Sequence, residues 1–361
     1  MFEASGQKKP RLVHASRRYC CPWQNFVSCS AQAPAPVDND FGARSEDVRH
    51  HDEVQGRPDQ RRCQGGLTVV VGTASPWRLG GDVVNRDGLT GMEIHRQYGV
   101  VAPEKGWVPT PTYLLRRSAI FDSLEGRPPG RVLEVGCSAG ALLYDLAERG
   151  YTGVGVELSA KARSIAQQVL AGDEGFRIES KVPQGPAQSF DLLIAFEVLE
   201  HIEDDAGALA SWLELLKPGG QVLISVPAHR RRWNITDVLV GHYRRYDRTD
   251  VEALLRGVGL RIEKVSTIGW PASWFIERAR ILAKTVQVRA AGVDVEAIAQ
   301  GDPARTQDSG IERSLETRFF PLYSNPVGRL LLRGAAMIQR RFYDTEWGIS
   351  YLAAATKPGL S

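Results

Sequence analysis

The stretch richest in chemistry runs Val132-Leu133-Glu134-Val135-Gly136-Cys137-Ser138-Ala139-Gly140, a β-rich run that passes into a glycine-containing turn and then a helical pattern. Gly136 lets the backbone turn tightly off a strand. Gly140 permits close approach of ligand and helix, and the helix N-terminus presents free N–H groups. Cys137 supplies a small side chain beside the turn. Glu157 closes the next strand 21 residues after Gly136, the separation at which a carboxylate accepts both hydrogen bonds of a ribose diol. The set fits a cofactor that carries a nucleoside. Its spacing is Gly136-x-x-x-Gly140, not the G-x-G-x-x-G of dinucleotide folds. Glu134 beside the turn would repel a pyrophosphate, yet it suits a cationic group. A nicotinamide dehydrogenase is disfavoured on both counts.

Three ordered motifs extend this pattern. An acidic-x-Gly-x-Gly-x-Gly signature is met at Glu134, Gly136 and Gly140, with Ser138 in place of the middle glycine. Phe196-Glu197-Val198-Leu199-Glu200-His201-Ile202 follows the fourth strand, and Leu216-Lys217-Pro218-Gly219-Gly220 precedes the fifth. On these motifs, residues from about 92 to 356 resemble class I S-adenosylmethionine-dependent methyltransferases, in particular those similar to quinone-biosynthesis and small-molecule methyltransferases. The resemblance implies S-adenosyl-L-methionine as cofactor, bound by Glu134, Gly136, Cys137, Gly140, Glu157, Leu158 and Phe196. Within that set Glu134 would meet the methionine amino group and Glu157 the ribose. Leu158 would pack on adenine, although ordinary core packing explains it as well. The implied activity is methyl transfer to a small-molecule or lipid-linked acceptor; the alternative is a protein that binds S-adenosylmethionine without turning it over.

Methyl transfer from a sulfonium requires in-line approach of a nucleophile, so positioning dominates and a base helps only some acceptors. His201 is the first candidate base, because the resemblance sets it beside the cofactor at the carboxyl end of a central strand; ordering the next helix is its other role. His242, in Gly241-His242-Tyr243-Arg244-Arg245-Tyr246, falls on the same expected rim. The arginines and tyrosines around it could hold an anionic acceptor or cap a solvated loop. No metal site is expected: Cys20, Cys21, Cys29 and Cys63, with His50 and His51 among them, lack the paired short spacings of zinc modules.

The elements that must position these residues form an α/β pattern. From Arg131 onward β-rich runs alternate with helical ones, as in a Rossmann-like, seven-stranded, mostly parallel sheet with helices on both faces. Arg131 to Val135, Gly153 to Glu157, Phe190 to Phe196, Gln221 to Val226, Leu260 to Ser266 and Gly348 to Thr356 are the strand candidates. Ser159 caps one helix, and Thr249 with Glu252 predicts a capping box for another. Lys217 to Gly220 predicts a turn. Residues 1–91 lack an apolar face and read as a disordered or mis-assigned extension, apart from the apolar run Leu67 to Val71; Met92 falls where the globular pattern begins. Residues 92–268 form the core, 269–347 a helical, lid-like insertion before the last strand, and 348–361 that strand and a tail.

In the insertion, Trp270, Trp274, Phe275, Ile281 and Leu282 are matched by Phe319, Phe320, Leu330, Leu331, Leu332 and Ile338, as for a lid over an acceptor pocket. Arg329, Arg333, Arg340 and Arg341 come without an acid from Val327 to Arg341, a pattern that allows peripheral contact with anionic lipid headgroups. A formal charge of +3 across 361 residues gives no reason to expect a nucleic-acid partner, and no obligate protein partner is inferred. No apolar stretch approaches the roughly 20 residues that span a bilayer, so a cytoplasmic location is expected.

Overall fold

The computed structural model describes residues 83–84, 92–95, 97–292 and 314–359. The expectations for residues 1–82, including the amino-terminal cysteines and histidines, lie outside the described residues. The described part belongs to one compact unit. It opens with a small antiparallel sheet, β1 (Val83–Val84), β2 (Glu93–His95) and β3 (Gly99–Val101), followed by α1 (Pro111–Leu124). The main alternation is β4 (Arg131–Val135), α2 (Ala141–Ala147), β5 (Thr152–Val156), α3 (Ala160–Val169), β6 (Phe176–Glu179), β7 (Phe190–Phe196), α4 (Asp205–Leu213) and β8 (Leu216–Pro227). Then come α5 (Ile235–Leu239), α6 (Arg248–Gly257), β9 (Arg261–Ile268), α7 (Ala272–Ala290), α8 (Ser314–Ser324), α9 (Pro326–Gln339) and β10 (Ser350–Thr356).

The large sheet has the order β6-β5-β4-β7-β8-β10-β9. Strands β4 to β8 pair in parallel, and β10 enters antiparallel between β8 and β9. Because side chains alternate across a strand, a sheet buried on both faces needs apolar residues at every position. The central strands meet that demand. Leu133, Val135, Leu193, Ala195, Val222 and Ile224 join one buried cluster, and Val132, Leu192, Ile194 and Leu223 join the other. The chain moves outward from β4 through β5 and β6, then returns to the other side of β4 as β7. That reversal opens a crevice at the carboxyl ends of β4 and β7, where open α/β sheets bind ligands.

Two local expectations need correction. Helix α6 starts two residues earlier than the Thr249–Glu252 pair predicts: its N-cap is Asp247, whose N–H donates to Asp250 Oδ2 at 2.8 Å. The nearer acid closes the box, which leaves Thr249 inside the first turn. Lys217 to Gly220 does not separate helix from strand but lies within β8, where Gly219 N–H reaches the Lys357 carbonyl and Lys357 N–H the Gly220 carbonyl, both at 2.8 Å. Pairing with the segment after β10 supplies the partners that a free turn would lack.

The helices between β9 and β10 are anchored to the amino-terminal part. Gln339, 1% exposed, donates to the Leu115 carbonyl at 2.7 Å and accepts from Gly269 N–H at 3.2 Å. Tyr98 donates to the Tyr323 carbonyl at 2.6 Å, and Tyr323 to the Pro109 carbonyl at 3.0 Å. Phe320, also 1% exposed, sets its ring edge-on to Tyr98 and Tyr323, at 5.7 and 5.2 Å between centroids. Other apolar residues of these helices face outward, among them Phe275, Leu282, Val327, Leu330 and Leu331. No helix among the described residues is long and apolar enough to cross a membrane. Phe320→Ala should therefore destabilise the protein by about 3–5 kcal/mol, the cost of emptying a buried aromatic site. Urea unfolding measures it, and a loss well under 1 kcal/mol would mean that Phe320 is not an anchor.

Candidate functional site

β4 hands the chain to Gly136, whose φ of 78° lies in the left-handed region. A Cβ at Gly136 would stand 2.5 Å from Val198 Cγ2, so conformation and space both demand glycine. Gly140 is left-handed too, at 72°, and its Cβ would meet that of Ala166 at 3.0 Å. The approach it permits is that of α2 to α3. Ser138 between them holds φ at 49°, which costs a residue with a Cβ about 1–2 kcal/mol. Its buried hydroxyl has no hydrogen-bond partner. Cys137 is buried, and burial pushes its thiol well above the ordinary range.

Glu157, just beyond β5, gathers this turn. Its Oε2 accepts the Ser138 N–H at 2.9 Å and its Oε1 the Ser159 N–H at 2.8 Å. Burial raises its carboxyl, and those two bonds oppose the rise. Each oxygen keeps a further lone pair. Ser159 occupies the N-cap of α3, but its side chain accepts no capping bond. Glu134 lies across the turn, 4% exposed, with one carboxylate oxygen lacking any partner. Burial, then the charges of Glu157 and Asp145, push it up to about 8. Asp145 is itself paired with Arg117. Leu158 and Phe196 are half-buried against opposite faces of the core.

On the other side of the crevice, Glu197 takes φ 54° as β7 ends; its N–H donates to the Ser225 carbonyl and its carboxylate accepts from Ser225 Oγ, both at 2.9 Å. The tight turn Leu199–His201 then buries Glu200 and His201. His242, from the loop after α5, sets its ring edge-on to His201, 4.6 Å between centroids. Asp237 fixes its orientation: Oδ1 pairs with His242 Nδ1 at 2.9 Å, and Arg245 Nε reaches both carboxylate oxygens at 2.8 and 2.9 Å. Burial raises the Asp237 carboxyl, but the His242 bond and the Arg245 charge outweigh it and hold the group below its ordinary value.

Burial, then His242, pushes His201 down to about 3, so it is neutral at working pH. Glu200 is held well above the carboxylate range by burial and then by Glu197, and neither of its oxygens has a hydrogen-bond partner. Arg244 and Tyr246 both bind Asp205, at 2.9 and 2.7 Å, and Arg245 binds Asp237 and Glu277, so these groups serve internal contacts. The structure thus brings His201 and His242 together. It adds Glu200 and Arg245, which stand within the quoted motifs, and Asp237, which no motif contains. The one local signal is Asp237 five residues before His242.

Residues 112–265 match a family described as a methyltransferase domain. The ubiquinone biosynthesis O-methyltransferase of Paracidovorax citrulli is 38% identical over 109 residues, covering 28% of this chain and 44% of that protein. Its counterpart from Hahella chejuensis is 31% identical over 116 residues, covering 30% and 48%. The chain spans less than half the length of these curated relatives. Among solved structures, the [4+2]-cyclase SpnF is similar over 74% of this chain and 88% of its own, at 17% identity and a TM-score of 0.45.

The strain at Ser138 yields a test of the turn. Ser138→Gly removes about 1–2 kcal/mol of left-handed strain and loses no hydrogen bond, while the added freedom of the unfolded chain costs roughly 0.5–1 kcal/mol. The variant should be more stable by up to about 1 kcal/mol in denaturant midpoint. A lower midpoint would show the turn to be unstrained.

Proposed function

We propose that residues 112–265, which match a methyltransferase domain, work as a class I methyltransferase, and that the protein is a cytoplasmic enzyme that moves the methyl group of S-adenosylmethionine to a hydroxyl of a small-molecule or lipid-linked acceptor. The S–CH3 bond of the sulfonium breaks, an O–CH3 bond forms, the cofactor leaves as the neutral thioether S-adenosylhomocysteine, and the hydroxyl proton goes to solvent. The observation that carries this proposal is the pair of acids flanking a left-handed turn. Glu157, with a lone pair left on each oxygen, takes the ribose diol, and Glu134 takes the ammonium of the methionine moiety. Gly136, Cys137 and Gly140 form the floor between them, and Leu158 and Phe196 the apolar sides. The acceptor is assigned to the crevice beside Glu200, His201 and His242. His201, held neutral, orders that wall; His242, aligned by Asp237, turns its other nitrogen toward Glu200. The relatives' names, which specify O-methylation in ubiquinone biosynthesis, support a hydroxyl acceptor and keep a lipid-linked one in view.

Glu134 makes the cofactor assignment testable by pH. A carboxyl near 8 in the folded protein, against an ordinary 4.5, stabilises the ligand-free fold fully below pH 4.5 and loses that contribution as pH rises through 8. An ammonium placed beside it favours the ionised form, so binding below pH 8 releases a proton. Affinity for S-adenosylhomocysteine should rise from pH 6 to 8, by up to about tenfold per unit, and then level off. Calorimetry of Glu134→Gln should give a flat profile; the same slope in the variant would remove Glu134 from the site.

The insertion supports a finer partner. Val327, Leu330, Leu331 and Met337 lie exposed on α9, beside exposed Arg333 and Arg341. Pro326, Arg329, Leu330 and Arg333 line a groove of about 320 Å³. Apolar residues next to the exposed guanidinium groups of Arg333 and Arg341 suit an anionic lipid surface, which would deliver a lipid-linked acceptor. Co-sedimentation with phosphatidylglycerol vesicles, but not with pure phosphatidylcholine, is expected, and Leu330→Ser with Leu331→Ser should abolish it. Equal pelleting of the double variant would exclude this face.

A further inference from the structure

We propose that the tight turn Arg230–Arg232, the start of α7 and the segment before β10 form a binding site for one molecule that joins a phosphate group to an apolar chain. These three segments share one rim of the sheet. Ser350, the first residue of β10, pairs with Pro227 at the end of β8 and with Ile268 at the end of β9. Because β8 runs parallel to β7, this is also the rim on which the crevice opens. Strands about 4.8 Å apart set β9, three positions from β7 in the sheet order, about 15 Å from the crevice.

The apolar half of the site is a group of aromatic rings centred on Trp270. Its ring meets Trp274 at 5.4 Å, Phe275 at 6.3 Å, Phe342 at 6.4 Å and Trp347 at 5.5 Å between centroids. None of the five is buried, and Phe275 and Trp347 are 61% and 53% exposed. Rings that already hold one another lose little freedom when a ligand is laid across them. Phe275, Arg278 and Leu282 follow at i, i+3 and i+7, so the same face of α7 carries the apolar surface away from the rings. An alkyl or isoprenoid chain fits such an extension better than a nucleobase, which needs only a ring to stack on.

The polar half adjoins it. The Arg278 guanidinium stands 5.1 Å from the centre of the Trp274 ring. Arg232 donates from Nη1 to the Gly348 carbonyl at 2.6 Å, which holds it beside Trp347. Burial draws the Arg232 guanidinium below its ordinary value; Glu277 opposes that, and the like charges of Arg231, Arg278 and Arg245 add to it. The acids of this region are already engaged. Glu277 binds Arg245 at 3.0 Å, Glu346 pairs with Arg248 and accepts from Tyr351, and Asp250 pairs with Arg230 at 2.6 Å. Arg231, Arg232 and Arg278 form no ion pair among the described residues. Three neighbouring guanidinium groups without a carboxylate between them favour an anion, and their paired N–H donors match phosphate oxygens. That the bound molecule is the methyl acceptor rests on the proposed function; the binding does not.

The test is calorimetry on the full chain without methyl donor, using butyl, hexyl and octyl phosphate below their micelle concentrations. Inorganic phosphate and octanol serve as the two halves of the probe. One saturable site per chain is expected, tightening by up to about fourfold per added methylene, with either half at least about tenfold weaker than octyl phosphate. Arg231 and Arg278 are both exposed, so Arg231→Gln with Arg278→Gln leaves the core intact. That double variant should weaken octyl phosphate at least about tenfold and leave octanol unchanged, while Trp347→Ala should flatten the chain-length series. The proposal is overturned by equal binding in the double variant, by inorganic phosphate binding as tightly as octyl phosphate, or by displacement of octyl phosphate by a single-stranded oligonucleotide. Binding of phosphatidylglycerol vesicles without binding of the monomeric phosphates would also overturn it, by making these arginines part of a membrane-facing surface. A protein that binds octyl phosphate but transfers no methyl group would contradict the proposed function and leave this site standing.

Discussion

The backbone of Gly136 passes so close to Val198 that a Cβ would lie 2.5 Å from a methyl group. That contact joins the two halves of the crevice. Gly136 begins the turn gathered by Glu157, and Val198 begins the segment that carries Glu200 and His201. Neither half can shift against the other without opening a gap or creating a clash, because packed interiors do not deform continuously. The sheet order makes the contact possible. Only at the reversal between β4 and β7 do two neighbouring strands send their following segments to opposite sides of one opening.

Four buried or nearly buried carboxylates surround this opening, and their surroundings divide them. Glu157 is met by two backbone N–H groups, and Asp237 by His242, Arg245 and the Asn234 N–H. These two are structural anchors whose charges the fold itself compensates. Glu134 and Glu200 have no comparable partners, and burial drives both toward the neutral form. An acid left in that state destabilises the folded chain unless a positive group arrives. Two uncompensated acids, one on each side of the Gly136–Val198 contact, therefore mark two separate places for positive charge. Glu134 faces the place of a ligand's ammonium in the proposed cofactor site, and Glu200 lies in the acceptor wall beside His201 and His242.

Local chemistry was legible in the sequence and long-range chemistry was not. Arg131 to Val135 and Phe190 to Phe196 match β4 and β7 residue for residue, since fully buried strands are continuous apolar runs and need only their own composition to be recognised. The glycine turn is readable for the same reason. The start of α6 was misplaced by two residues because two acids competed for one cap. Glu200 was quoted within a motif, but its partner His242 reaches it only through the path of β8 and α5. The insertion divides similarly: Trp270 to Leu282 and Phe319 to Ile338 look alike as apolar stretches, yet burial of Phe320 and Gln339 against α1 and Tyr98, and exposure of Leu330 and Leu331, depend on which face meets the body of the protein.

Arg245 gives that insertion a physical connection to the site. Its guanidinium is buried, with Nε on Asp237 and Nη2 on Glu277 of α7 at 3.0 Å. A buried ion pair is costly to break on one side, because the remaining charge stays desolvated. Displacing α7 would therefore either pull Arg245 away from Asp237 or strand Glu277, and Asp237 is the group that aligns His242. The exposed apolar face of the insertion and the imidazole wall of the crevice share one carboxylate–guanidinium–carboxylate link. Contacts made on the outer surface of α7 thus bear on the orientation of His242 through two hydrogen-bonded residues, without any rearrangement of the sheet.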